Sequence, residues 1–199
     1  MIRNILKNIQ QLYLKNKFNK RSTILGKINF SSTSKILLQD GSDKKDIVME
    51  NDIIMFGNLF SANGGKIQIG EKSSIRRSCK IFCANKITIG KNVIFSDNII
   101  VSDTNHHPIN PNDRLKMNTS GWSSKYWSWR YSDSVPIYIE DNVWVGQYAR
   151  INKGVTIGEN SIVAANTVVT KDVPKNSIVA GNPGKIVKID IDKLPRKLC

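Results

Sequence analysis

An aliphatic residue returns at every sixth position through Ile69, Ile75, Ile81, Ile87, Val93 and Ile99, and again through Ile139, Val145, Ile151, Ile157, Val163 and Val169. A period of six matches neither an amphipathic helix nor the plain alternation of a two-layer strand. It predicts a parallel β-helix in which each hexapeptide makes one flat face and three faces close a coil of about 18 residues.

The second run shows how the period is kept. It reads IEDNVW, VGQYAR, INKGVT, IGENSI and VAANTV, with small or branched Val143, Ala149, Val155, Ser161 and Thr167 in fifth place. First and fifth positions both point inward. The first buries most of the apolar area, and the fifth must be compact because three faces converge on a narrow core. Asn142, Asn152, Gly154, Asn160 and Asn166 fall at the predicted corners, where positive φ is tolerated. Residues 22–68 are less regular, yet the apolar pairs Ile36-Leu37, Ile47-Val48 and Ile53-Ile54 extend the same solenoid toward the N-terminus.

Ahead of it, Ile2, Ile5, Leu6, Ile9, Leu12 and Tyr13 recur at helical spacing, with Arg3, Lys7, Lys15 and Lys17 among them. This predicts a basic amphipathic helix over residues 1–21, either capping the open end of the solenoid or touching an anionic membrane. The organisation is then a helix, a β-helix domain over 22–190 with an inserted loop at 102–136, and a tail at 191–199. Charge follows the same division. Residues 1–39 carry eight Lys or Arg and no acid, against 22 basic and 16 acidic residues beyond them. No aromatic-interleaved basic stripe accompanies this excess, which argues against nucleic acid. No apolar run reaches the length of a membrane span and no secretory signal is evident, so a cytoplasmic protein is expected. Cys79, Cys83 and Cys199 form no CxxC pair, so neither zinc nor a disulfide framework is expected, and Cys79 reads as a buried thiol.

The beat stops between Val101 and Ile137. The intervening segment is polar and aromatic, and it holds both histidines, His106 and His107, together with Trp122, Trp127 and Trp129. Insertions in a solenoid are where function concentrates. Indoles offer an apolar face and one donor, which suits a sugar acceptor, although packing on a neighbouring subunit is the competing reading.

The hexads IGKNVI and IGENSI, the VWVG segment at Val143 to Gly146 and the run VTKDVPKNSIVAGNPGK from Val169 resemble the hexapeptide-repeat acyltransferases, above all the sugar and polysaccharide O-acetyltransferases. The resemblance implies a left-handed β-helix, a homotrimer with sites at subunit interfaces, and acetyl-CoA as acyl donor with no metal. It implies CoA contacts at Gly146, Ala165, Thr170, Lys171 and Lys185, and Trp144, at the outward sixth position of its hexad, reads as a wall of the same intersubunit cleft. It also implies a histidine base at the foot of the loop. The His-Pro pair points to His107, whereas a D-x-N-H spelling through Asp103 and Asn105 points to His106; on an extended chain only one would face the cleft, and His107 is the expected base. Asp103 is the expected orienting carboxylate. The function expected is O-acetylation of a sugar of a surface polysaccharide or its precursor. Acetylation of an antibiotic hydroxyl, or N-acetylation of an amino sugar, remains open. A non-acylating β-helix is disfavoured, since a zinc site would need three separated histidines.

Overall fold

The computed structural model describes residues 2–198. Three sheets of six, eight and six strands run the length of the chain, and every pairing within them is parallel except the last, between Ile178–Ala180 and Lys185–Lys188. Successive strands visit the three sheets in turn, so each circuit adds one strand to each wall. The core is a single column of inward aliphatic side chains, including Ile69, Ile75, Ile81, Val145, Ile151 and Ile157.

Beyond the loop the coils have the expected length: Ile139 aligns with Ile157, Val145 with Val163 and Ile151 with Val169. Before it they do not. Ile69 aligns with Ile89, Ile75 with Phe95 and Ile81 with Val101, so these coils are two residues longer. Val93 and Ile99 therefore occupy the fifth, compact position rather than the first. The slip is hidden in the sequence because inward and outward residues alternate, and an even insertion keeps the same residues inside. Val143, Ala149, Val155, Ser161 and Thr167 are all buried as predicted.

Corners carry their own order. Asn142, Asn160 and Asn166 adopt left-handed backbone, as does Gly154, whereas Asn152 does not. Down one edge the Asn142 amide donates to Asn160 and the Asn160 amide to Asn176, both at 2.9 Å, so the turns are tied coil to coil.

The first coil is covered by helix α1, Ile2–Asn19. Leu14 and Phe18 are buried on it, Phe18 packs against Phe30 at 4.5 Å, and Gln11 exchanges two hydrogen bonds with the Phe30 backbone. This docking face is not the predicted one. Leu6, Ile9, Leu12 and Tyr13 stay 59–66% exposed, while Ile2, Arg3, Ile5 and Lys7 lie outside the described side chains, as Cys199 lies outside the described residues. The helix has two apolar stripes, and only one is used by the coil. No helix among the described residues is long and apolar enough to cross a membrane.

The loop leaves the wall after Ile100–Ser102 and returns at Ile137–Ile139. Its two limbs pinch together at an antiparallel bridge between Thr104 and Ser134, supported by bonds from Asn105 N–H to the Asp133 carbonyl and from Val135 N–H to the Asp103 carbonyl. Within it lies helix α2, Pro111–Thr119, which the sequence reading left unassigned. Its start was readable: Asn110 caps the backbone N–H groups of Asn112 and Asp113, and Pro111 occupies the first turn.

Candidate active site

The foot of the loop places one histidine on the wall and the other in solvent. His106 takes a left-handed backbone, φ 67°, so the chain is not extended there and strict alternation of the two side chains does not apply. Its ring lies edge-on to Phe82 at 5.1 Å and to Trp129 at 4.7 Å. Phe82 in turn stacks on Phe60 from the preceding coil, which anchors this aromatic group to the third sheet. His107 is exposed and lies edge-on to Trp127, with ring centroids 5.7 Å apart.

A second contact fixes His106. Its Nε2 lies 3.1 Å from Ser102 Oγ, and the Ser102 hydroxyl donates to the Thr104 carbonyl at 2.8 Å. A hydroxyl has one proton to give. With that proton committed to Thr104, Nε2 carries the imidazole hydrogen and Nδ1 is left as the proton acceptor. Burial lowers the His106 pKa below its ordinary value, and the positive charges of His107 and Arg150 add to the effect. The ring is therefore neutral near pH 7, the form a general base requires.

Asp103 has a different task from the expected one. It is fully buried, and its carboxylate accepts from Ala84 N–H at 2.8 Å, from Asn85 N–H at 2.9 Å and from the Cys83 thiol at 3.3 Å. Both oxygens are engaged by the neighbouring coil, so the carboxylate orients neither imidazole. Burial raises its pKa, as it raises that of Cys83. Asp103 pins the base of the loop to the corner at Ala84, and Ser102 takes the place of the orienting group. Cys79 is buried as expected, its thiol pushed up to about 11 by burial.

The three loop tryptophans divide. Trp129 is half-buried against His106. Trp122, 83% exposed, stacks on Trp127 at 4.3 Å, and the Trp127 indole donates to the Gly121 carbonyl. A paired indole platform thus stands beside His107, with its outer face open.

At the corner below His106, Ser102, Thr104, Asn105, Arg150, Asn152, Lys153 and Thr170 line a polar cavity of about 380 Å³. Thr170 accordingly lines this cavity rather than the edge at Gly146. The other expected donor contacts gather on a different edge. Trp144 is half exposed with its indole donating to Ser96 Oγ, and Gly146 lies so close to the next coil that a Cβ there would stand 2.6 Å from the Ala165 nitrogen. The Gly181–Gly184 turn continues this edge, bonding Val168 from both sides, and delivers Lys185 beside Ala180. A bare ridge of Gly and Ala, walled by an indole and ended by a lysine, suits an amide-bearing chain with phosphates at one end. Thr170 and Lys171 lie past Val168–Val169, at the next corner. Among the described residues no group of His, Cys, Asp and Glu has the spacing of a metal site.

A family model described as bacterial transferase hexapeptide (six repeats) matches residues 136–171. The galactoside O-acetyltransferase of Escherichia coli K12 is 34% identical over 65% of this chain and 57% of its own length. A putative acetyltransferase of Saccharomyces cerevisiae is 30% identical over 75% of this chain and 72% of its own. The chain belongs to the hexapeptide-repeat transferase family. A solved member, the hexapeptide-repeat containing acetyltransferase VCA0836 of Vibrio cholerae, is 25% identical with a TM-score of 0.59, covering 86% of this chain and 76% of that one. The coil is thus the left-handed β-helix of hexapeptide-repeat transferases, as the sequence motifs implied. The chain spans little more than half, 57%, of the E. coli enzyme. Four residues of the cavity escaped the sequence reading: Ser102, Thr104, Arg150 and Lys153. Arg150 stands at an outward position of a hexad, where the pattern alone says only that it faces away from the core.

Proposed function

We propose that the protein transfers the acetyl group of acetyl-CoA to a sugar hydroxyl, with His106 as general base. The observation that carries this reading is the imidazole held by Ser102, a residue that also lines a polar cavity, on a scaffold whose relatives include a galactoside O-acetyltransferase. In the reaction, Nδ1 of His106 takes the acceptor hydroxyl proton as that oxygen bonds to the thioester carbonyl. The C–S bond then breaks, and the imidazolium returns the proton to the CoA sulfur. Products are the acetyl ester and free CoA. The base is assigned to His106 in preference to His107 because only His106 is oriented, partly desolvated and beside the cavity. Trp144, Gly146, Ala165 and Lys185 form the donor groove in this reading, with Lys171 at the next corner; Trp122 and Trp127 form the outer wall of the acceptor site.

The assembly we propose is a homotrimer, since flat-faced prisms close about a threefold axis and the donor ridge and histidine cavity of one chain lie at different corners. Incubating the protein with acetyl-CoA and a panel of glycosides tests the activity: thiol release coupled to a mass gain of one acetyl group on the sugar is expected. Release of thiol with an amide product on an amino sugar, or with an antibiotic alone, would replace the reading with one of its two alternatives.

The exposed stripe of Leu6, Ile9, Leu12 and Tyr13 supports a further contact. It lies in the segment with eight cations and no acid, and that combination fits an anionic bilayer. The cap and the membrane contact use opposite faces of α1 and are compatible.

A further inference from the structure

Arg150 and Lys153 give the cavity beside His106 a charge that acetyl transfer by itself does not require. Of the seven residues lining it, these two are cationic and none is acidic. Arg150 spends only its Nε–H, donated to Asn152 Oδ1 at 3.0 Å. Neither cation joins any of the ion pairs found among the described residues, which involve other lysines. The terminal nitrogens of Arg150 therefore remain as a planar fork of donors, the arrangement that fits a carboxylate or phosphate in two parallel bonds. Its charge is felt at the base, because Arg150 contributes to the lowered pKa of His106. An unpaired guanidinium beside a general base works against the imidazolium that forms during proton transfer, and an anion bound there relieves that conflict.

We propose that the acceptor is an anionic sugar, whose carboxylate or phosphate is held by Arg150 and Lys153 while a neighbouring hydroxyl faces His106. The inference rests on the acetyltransferase reading and narrows it to a substrate class. Asn152 orients the Arg150 fork through Nε, and the polar lip of Asn105 and Thr170 supplies partners for the remaining sugar hydroxyls.

Three acceptors of matched ring geometry test the idea: a methyl glucuronoside, a methyl glucoside 6-phosphate and the uncharged methyl glucoside. The charged pair should exceed the uncharged one in kcat/KM by roughly 10- to 100-fold, the scale of a charge-assisted hydrogen bond, and the better of the two identifies carboxylate or phosphate as the bound group. Arg150→Gln should collapse that ratio while leaving the KM for acetyl-CoA unchanged, and Arg150→Lys should restore part of it. Titration calorimetry with the charged glycosides should show the same loss of binding in Arg150→Gln without any turnover. Equal kcat/KM for charged and uncharged acceptors overturns the inference. So does a raised KM for acetyl-CoA in Arg150→Gln with an unaltered acceptor ratio, which would give the cavity to the CoA phosphates. Absence of acetyl transfer to every sugar is a separate outcome that removes the acetyltransferase reading and this inference together.

Discussion

The Nε2 of His106 lies 3.1 Å from the hydroxyl of Ser102, whose proton is already given to the Thr104 carbonyl. That arrangement favours the tautomer protonated at Nε2 and, in the proposed reaction, leaves Nδ1 to accept the proton. Replacing His106 by Ala should lower kcat roughly 10²- to 10⁴-fold, the usual contribution of a positioned base, with the KM for acetyl-CoA unchanged. Ser102→Ala should lower kcat by less, because the ring keeps its aromatic neighbours. His107→Ala should change kcat little. Steady-state kinetics on the three variants decide the assignment, and a large loss in His107→Ala with little in His106→Ala would return the base to His107.

The lowered pKa of His106 fixes the sign of two pH effects. The rate should rise with pH through an apparent value below the ordinary 6.5 and flatten above it, since only the neutral ring accepts a proton. Stability follows the same direction. Below pH 6.5 the unfolded chain binds a proton on this residue more readily than the folded one, so the His106 contribution is complete at neutral pH and declines as pH falls toward the depressed native value. Thermal unfolding of the wild type and His106→Gln, compared between pH 7.5 and 5, should show the wild type losing more.

Asp103 predicts a defect of stability rather than of chemistry. Asp103→Ala leaves the N–H groups of Ala84 and Asn85 without their acceptor, at a cost of about 1–3 kcal/mol for each buried donor stranded. The melting temperature should drop, while kcat per folded molecule at low temperature stays within a few-fold of wild type. A loss of kcat comparable with that of His106→Ala would contradict the structural role.

The loop aromatics should separate kinetically. Trp129→Ala frees the ring of His106 and should act on kcat. Trp122→Ala removes an exposed face and should raise the acceptor KM, with the KM for acetyl-CoA unaffected. Native mass spectrometry of both variants checks the competing idea, since dissociation of the oligomer would mark an interface residue.

For α1, the two stripes give opposite outcomes. Phe18→Ala opens the packing on Phe30 and should destabilise the fold by about 3–5 kcal/mol. Changing Leu6, Ile9 and Leu12 together to Gln should leave the melting temperature within a few degrees and abolish co-flotation with phosphatidylglycerol vesicles. Flotation that persists would assign the exposed stripe to something other than lipid.

Parts of this protein were legible before any coordinates and parts were not. Ile139 to Val169 announced the coil because every first and fifth position carries the same burden. Ile87, Val93 and Ile99 were placed inside correctly but in the wrong register, since a two-residue insertion does not change which side chains point inward. The helix stripe was misjudged for a related reason: Leu6, Ile9 and Leu12 outnumber Leu14 and Phe18, yet the stripe that docks is the one whose aromatic meets Phe30. At the site, sequence located the loop and both histidines. It favoured His107, whereas the proposal of His106 rests on a left-handed backbone at that residue and on Ser102, a residue with no mark of its own. Asp103 looked like a partner through proximity in the chain, and its side chain turns instead to the coil beneath.

The pinch between Thr104 and Ser134 bears on how such a protein can change. The loop leaves the third sheet and enters the first through adjacent points at one corner, so its span exerts no pull on the coils, which stay aligned from Ile89 to Ile139 across the whole interruption. What lies outside the pinch behaves as a cassette. Residues 108–128, beyond His106 and short of its neighbour Trp129, can lengthen, shorten or be exchanged while His106 and the Gly146 ridge keep their geometry, and the cations at Arg150 and Lys153, which belong to the coil, stay behind. Transplanting the cassette from another member would therefore alter the shape an acceptor must have but not the charge it must carry.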